Sequence, residues 1–108
     1  MSHVTTHVLD AALGRPAEGI SVALGGPTGE IIAMGVTDSD GRITDLGPEA
    51  LPAGDYQLEF ATGPYFAGAG RATFYPRVVV SFVIAETTAH YHVPLLLSPF
   101  AYSTYRGS

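Results

Sequence analysis

Arg77-Val78-Val79-Val80-Ser81-Phe82-Val83-Ile84 is the stretch that decides the fold class. β-branched and aromatic side chains lose freedom in a helix and pack well on a pleated surface, so this run predicts a strand over Arg77–Ile84. Working outward, the neighbouring runs show the period of two expected of strands. Upstream, Tyr56, Leu58 and Phe60 mark one strand, Ile32, Met34 and Val36 another, and Ile20, Val22 and Leu24 a third. At the start, Val4, Thr6 and Val8 alternate with His3, Thr5, His7 and Leu9. Downstream, Thr88–Leu97 reads as a strand closed by Ser98-Pro99, and Tyr102–Tyr105 as a short last one.

Turn chemistry separates these runs. Gly14-Arg15-Pro16 reads as a loop, Gly25-Gly26-Pro27 ends a strand, and Pro48, Pro52 and Gly54 punctuate another connection. Asp38-Ser39-Asp40-Gly41 reads as a turn, because Asp and Ser bond nearby backbone and Gly accepts a positive φ. A short strand near Arg42–Leu46 follows it. Alternation lapses over Gly63–Gly70, where one short helix fits. Seven or eight short strands between turn signals predict an all-β sandwich. With no internal repeat, low-complexity tract or dividing linker, residues 1–108 read as a single domain.

Composition excludes several chemistries. The chain has no cysteine, which rules out disulfides, thiolate catalysis and Cys-based zinc sites. Formal net charge is −5, and every basic residue is an arginine: Arg15, Arg42, Arg71, Arg77 and Arg106. They are scattered, whereas a nucleic-acid partner needs a clustered basic patch. No apolar stretch reaches the length of a membrane span. Met1-Ser2-His3-Val4 lacks a basic start followed by an apolar run, so we expect no signal peptide and a cytoplasmic location.

The four histidines are the side chains best suited to proton transfer near neutral pH. His7 lies on the first strand, on the face opposite Val4, Thr6 and Val8. His90 and His92 share one face of a later strand. Two histidines so placed could share a metal, but no nearby residue offers a clear third ligand, so we expect no metal and no cofactor. Asp38-Ser39-Asp40-Gly41 resembles the opening of a calcium loop whose later ligands are missing. Gly68-Ala69-Gly70 is half a nucleotide fingerprint without its βα context, and no G-x-S-x-G elbow occurs. His3 reads as an ordinary residue near a terminus.

The segment His90-Tyr91-His92-Val93-Pro94-Leu95-Leu96-Leu97-Ser98-Pro99, followed by Tyr102-Ser103-Thr104-Tyr105-Arg106-Gly107-Ser108, resembles the C-terminal signature of the 5-hydroxyisourate hydrolases. Thr6-His7-Val8-Leu9-Asp10 with Gly14-Arg15-Pro16-Ala17 resembles their N-terminal signature, and Asp40-Gly41-Arg42 their central motif. The closing Tyr-Arg-Gly-Ser is the most specific piece, because it separates these hydrolases from transthyretin, the hormone carrier of the same fold.

The resemblance implies a transthyretin-like, eight-stranded β-sandwich with one short helix, assembled as a homotetramer around a channel that holds the active sites. It implies catalytic roles for His7, Arg42 and His92, with Tyr105, Arg106, Gly107 and Ser108 lining the site. The implied reaction is metal-free hydrolysis of 5-hydroxyisourate to 2-oxo-4-hydroxy-4-carboxy-5-ureidoimidazoline in urate degradation. Ring opening by water needs a base for the water's proton, a donor for the leaving nitrogen, and positive charge where the carbonyl oxygen becomes anionic. Two imidazoles and one guanidinium supply that set. Which imidazole is the base, and whether Arg42 binds substrate or tunes a neighbouring histidine, stays open at this level. The rival readings are a non-catalytic, transthyretin-like carrier of a small ligand and a structural or adhesion sandwich.

Overall fold

A computed structural model describes all 108 residues. Its elements run β1 (Val4–Asp10), β2 (Arg15–Pro16), β3 (Ser21–Gly25), β4 (Ile31–Val36), β5 (Arg42–Ile43), β6 (Gly54–Phe60), α1 (Thr62–Gly68), β7 (Val78–Ile84), β8 (Tyr91–Ser98) and β9 (Ala101–Thr104). One sheet has the order β2-β1-β8-β9, with β5 also paired to β1; the other has the order β4-β3-β6-β7. Strands β1 and β8 run parallel, and every other pairing is antiparallel.

The two-residue period buries one row from each sheet. Val4 and Val8 from β1, Leu95 and Leu97 from β8, Val22 and Leu24 from β3, and Leu58 and Phe60 from β6 meet in one core. Phe66 of α1 closes it and is fully buried. At about 25 cal/mol per Å² of apolar surface, each of these side chains contributes roughly 1.5–3 kcal/mol. No helix is long and apolar enough to cross a membrane.

The all-β sandwich with one short helix follows the sequence reading, and three local differences have physical causes. Arg15–Pro16, read as loop, is a two-residue strand on Leu9–Asp10, so the strands number nine. Pro16 is tolerated there because an edge position requires no ladder N–H of it. On β4 the alternation holds, but Met34 is 68% exposed while Gly35 faces inward against Ile43 and Leu46. Strand β8 begins at Tyr91 rather than Thr88, because residues 86–89 close a turn with the Ala89 N–H on the Glu86 carbonyl.

Asp10 ends β1 inside the protein. Its carboxylate accepts hydrogen bonds from Arg71 at 2.7 Å, from the Tyr65 hydroxyl at 2.7 Å and from the Leu13 N–H at 3.0 Å. Burial pushes this carboxyl up, but the hydrogen bonds from Arg71, Tyr65 and Leu13 and the Arg71 charge outweigh burial and hold it at about 2.

Candidate active site

The outer face of the β1–β8 sheet assembles the polar residues that the core excludes. Successive strand residues point to opposite faces, so burying Val4, Thr6 and Val8 turns Thr5 and His7 outward. Register then supplies their neighbours. Thr5 lies opposite His92 on β8, and His7 lies opposite Arg42 on β5. Adjacent strands are roughly 4.8 Å apart, so Thr5, His7, Arg42 and His92 form one cluster on this face.

The turn before β5 delivers Arg42. Asp38 Oδ1 accepts the N–H groups of Asp40 and Arg42, each at 2.9 Å. Gly41 takes φ 75°, and its carbonyl accepts the Val8 N–H at 2.7 Å. A Cβ at Gly41 would collide with the Val8 carbonyl, so this position needs glycine on two counts. The Asp38 carboxylate thus serves its own turn. The Arg42 guanidinium makes no ion pair, since the only salt bridge is Arg71–Asp10, and its charge faces the cleft uncompensated.

Hydrogen bonds orient both histidines. His7 Nε2 lies 2.8 Å from the Asp40 carbonyl; a carbonyl only accepts, so Nε2 carries the hydrogen and Nδ1 keeps the lone pair of the neutral ring. His92 Nδ1 lies 2.8 Å from Thr5 Oγ1, and the same oxygen lies 2.9 Å from His90 Nε2. Burial lowers the His92 pKa below its ordinary 6.5, and the charges of Arg42, His7 and His90 lower it further. A neutral, basic imidazole is therefore available at neutral pH.

The chain's last residues complete the site. The Gly107 N–H donates to the His92 carbonyl at 2.9 Å, forming an antiparallel bridge. A Cβ on Gly107 would stand 2.6 Å from His92 Cδ2, so glycine lets the tail lie against the ring. The resulting cleft of about 550 Å³ is lined by Thr5, His7, Arg42, His92, Tyr105, Gly107 and Ser108, among others. Met1 and Tyr105 are its only hydrophobic lining residues. His90 also reaches this cleft.

Of the expected residues, the structure brings His7, Arg42, His92, Tyr105, Gly107 and Ser108 together and turns Arg106 away. The Arg106 guanidinium lies 4.4 Å over the Tyr91 ring, on the other side of the tail. Thr5 joins the site although nothing in the sequence singles it out. Threonine is common in strands, and only register sets it between two imidazoles. His3 also departs from its reading as an ordinary terminal residue. It is buried, donates from Nε2 to the Ala89 carbonyl at 2.7 Å and accepts the Leu51 N–H at Nδ1 at 2.8 Å. No three His, Cys, Asp or Glu side chains converge as a metal-binding group would require.

The model of the HIUase/Transthyretin family matches residues 4–107. The chain belongs to this family. Within the HIUase/Transthyretin family it is 48% identical over 111 residues to the 5-hydroxyisourate hydrolase of Salmonella dublin, covering 97% of this chain and 80% of that protein. The solved 5-hydroxyisourate hydrolase of Klebsiella pneumoniae superposes with a TM-score of 0.90 at 45% identity, covering 97% of this chain and 98% of that one. Sea bream transthyretin in complex with thyroxine superposes equally well, with a TM-score of 0.90 at 36% identity, over 96% of this chain and 93% of that one. Backbone likeness alone therefore does not separate enzyme from carrier within the HIUase/Transthyretin family; the side chains of the cleft must.

Proposed function

We propose that this chain, as a single domain over residues 1–108, hydrolyses 5-hydroxyisourate to 2-oxo-4-hydroxy-4-carboxy-5-ureidoimidazoline in urate degradation. The observation that carries the reading is the convergence of two imidazoles and an unpaired guanidinium on one polar cleft. A carrier of an apolar ligand draws on mostly hydrophobic side chains, and only two of the eleven residues lining this cleft, Met1 and Tyr105, are hydrophobic.

In the reaction, His92 takes a proton from water as the water oxygen attacks the ring carbonyl carbon. Arg42 stabilises the oxyanion that forms. His7 acts in its doubly protonated form, keeping Nε2–H on the Asp40 carbonyl and giving its Nδ1 proton to the departing nitrogen as the carbon–nitrogen bond breaks. The new carboxylic acid ionises, so each turnover releases one proton. Tyr105, Gly107 and Ser108 wall the substrate, and Arg106 serves through its stack on Tyr91, which holds the tail in place. No step requires a metal or cofactor.

A homotetramer and a cytoplasmic location belong to the same proposal. In support of assembly, β9 and β7 are edge strands, and Val79, Val83, Phe100 and Tyr102 are apolar residues left exposed beside them. Light scattering and cell fractionation check the two points.

The deciding test is a spectrophotometric assay on freshly prepared 5-hydroxyisourate. Accelerated decay is expected with the wild type, and a loss of kcat/KM of on the order of a hundredfold or more in folded His7→Ala and His92→Ala. Saturable binding with no turnover would favour the carrier instead.

A further inference from the structure

Thr5 is the side chain whose bonding the reaction above leaves unexplained. Thr5 is only 4% exposed, and Ser and Thr hydroxyls commonly donate to nearby backbone. In this chain Thr6, Thr37, Thr62, Thr73 and Thr104 each donate to a backbone carbonyl. Thr5 Oγ1 instead sits between His92 Nδ1 at 2.8 Å and His90 Nε2 at 2.9 Å.

A hydroxyl has one hydrogen to give, so only one of these imidazoles can accept from it and the other must donate to it. The three groups therefore have two arrangements. In the first, His92 Nδ1–H donates to Thr5, Thr5 donates to His90 Nε2, and His92 Nε2 holds a lone pair. In the second, His90 Nε2–H donates to Thr5, Thr5 donates to His92 Nδ1, and neutral His92 carries its hydrogen on Nε2. His92 Nε2 makes no hydrogen bond within the chain, which leaves it to the cleft. His90 lies just outside β8 and is exposed to solvent.

We propose that His92, Thr5 and His90 form a proton relay that connects the cleft to solvent, with Thr5 and His90 as positioning residues that act through His92. The relay rests on the hydrolase reading. It works by interconverting the two arrangements. As water attacks, its proton moves to His92 Nε2. The Nδ1 proton passes to Thr5 Oγ1, and the hydroxyl proton passes to His90 Nε2. His90 is then doubly protonated and sheds its Nδ1 proton to solvent; the net proton released per turnover remains that of the ionising acid. The reset runs the transfers backward: His90 Nδ1 takes a proton from solvent, the hydroxyl and Nδ1 protons step back, and His92 Nε2 passes its proton through cleft water to His7, replacing the one given to the leaving nitrogen. The electrostatics favour that direction of transfer. His7 on β1 and Arg42 on β5 face His92 and disfavour charge there, with Tyr105 on the tail adding none, while Glu49 and His3 share with His90 the surface hollow beside it.

The test compares Thr5→Val, which keeps the shape and removes the hydroxyl, with Thr5→Ser and the surface variant His90→Gln. Thr5→Val is expected to lower kcat about tenfold or more with little change in KM, to alter the solvent isotope effect on kcat and to displace the acid limb of the pH profile. Thr5→Ser should restore all three. His90→Gln should slow kcat and recover with added imidazole buffer. ¹⁵N NMR of the histidine rings in the protein without substrate should show the His92 tautomer balance move in Thr5→Val. A folded Thr5→Val with wild-type kcat, isotope effect and ¹⁵N shifts would overturn the relay, as would His90→Gln with an unaltered kcat. A wild-type protein that leaves 5-hydroxyisourate intact would instead refute the hydrolase reading, and the ¹⁵N comparison would still judge the Thr5 linkage.

Discussion

At the scale of single residues, the side chain with the most to explain is His92. Burial and the charges of Arg42, His7 and His90 all act against its protonation. The base form of His92 therefore persists to lower pH than that of a free imidazole. The acid limb of kcat/KM, which reports the free enzyme, is expected below the ordinary histidine value of 6.5. Arg42→Gln removes one positive neighbour, so the limb should move upward toward 6.5 while the rate falls at every pH. A pH–rate series on both proteins checks this. A wild-type limb at or above 6.5 would take His92 out of the role of base.

At the scale of elements, the closing tail behaves as an extra strand. Gly107 bridges to His92, and Arg106 stacks on Tyr91. Deleting Tyr105–Ser108 removes one backbone hydrogen bond and one cation–π contact, a loss of about 1–2 kcal/mol. It also removes three walls of the cleft and frees the His92 segment. We expect kcat/KM to fall by on the order of a hundredfold, because small misplacements of reacting groups cost that much. A thermal melt beside the assay separates the two effects. A truncated protein with wild-type turnover would make the tail a passive end.

How much of this was legible in the sequence differs from element to element. β6 was legible because Tyr56, Leu58 and Phe60 alternate with polar residues, and β7 because six of its seven residues are β-branched or aromatic. β2 was not, because two residues containing a proline carry no period. The direction of Arg106 was legible in principle, since alternation sends it to the side opposite Tyr105 and Gly107. The burial of His3 and the bridging by Thr5 were not. Each depends on a partner more than 40 residues away, Leu51 for His3 and His90 and His92 for Thr5.

At the scale of the whole molecule, Asp10 ties the end of β1 to α1 through Tyr65 and to the following loop through Arg71. Its carboxyl is held at about 2 against an ordinary 3.8. Between those values the unfolded chain binds more protons than the folded one, so stability is full above about pH 4 and is lost as pH falls toward 2. The contribution is on the order of 2 kcal/mol. Urea melts of wild type and Asp10→Asn should therefore differ at pH 7 and converge near pH 2. Parallel curves over that range would assign the acid sensitivity to other groups.

The parallel pairing of β1 with β8 also sets a clock. Thr5 and His92 meet across 87 positions of sequence. A ribosome adding 5–20 residues per second takes roughly 4–17 s to cover that distance. For that interval the first strand exists without its central partner. A bare apolar strand would use the delay to aggregate. Val4-Thr5-Thr6-His7-Val8 is broken by three polar residues, which makes it a poor template for stray pairing. The same side chains that furnish the cleft thus weaken the first strand's tendency to aggregate while β8 is still missing.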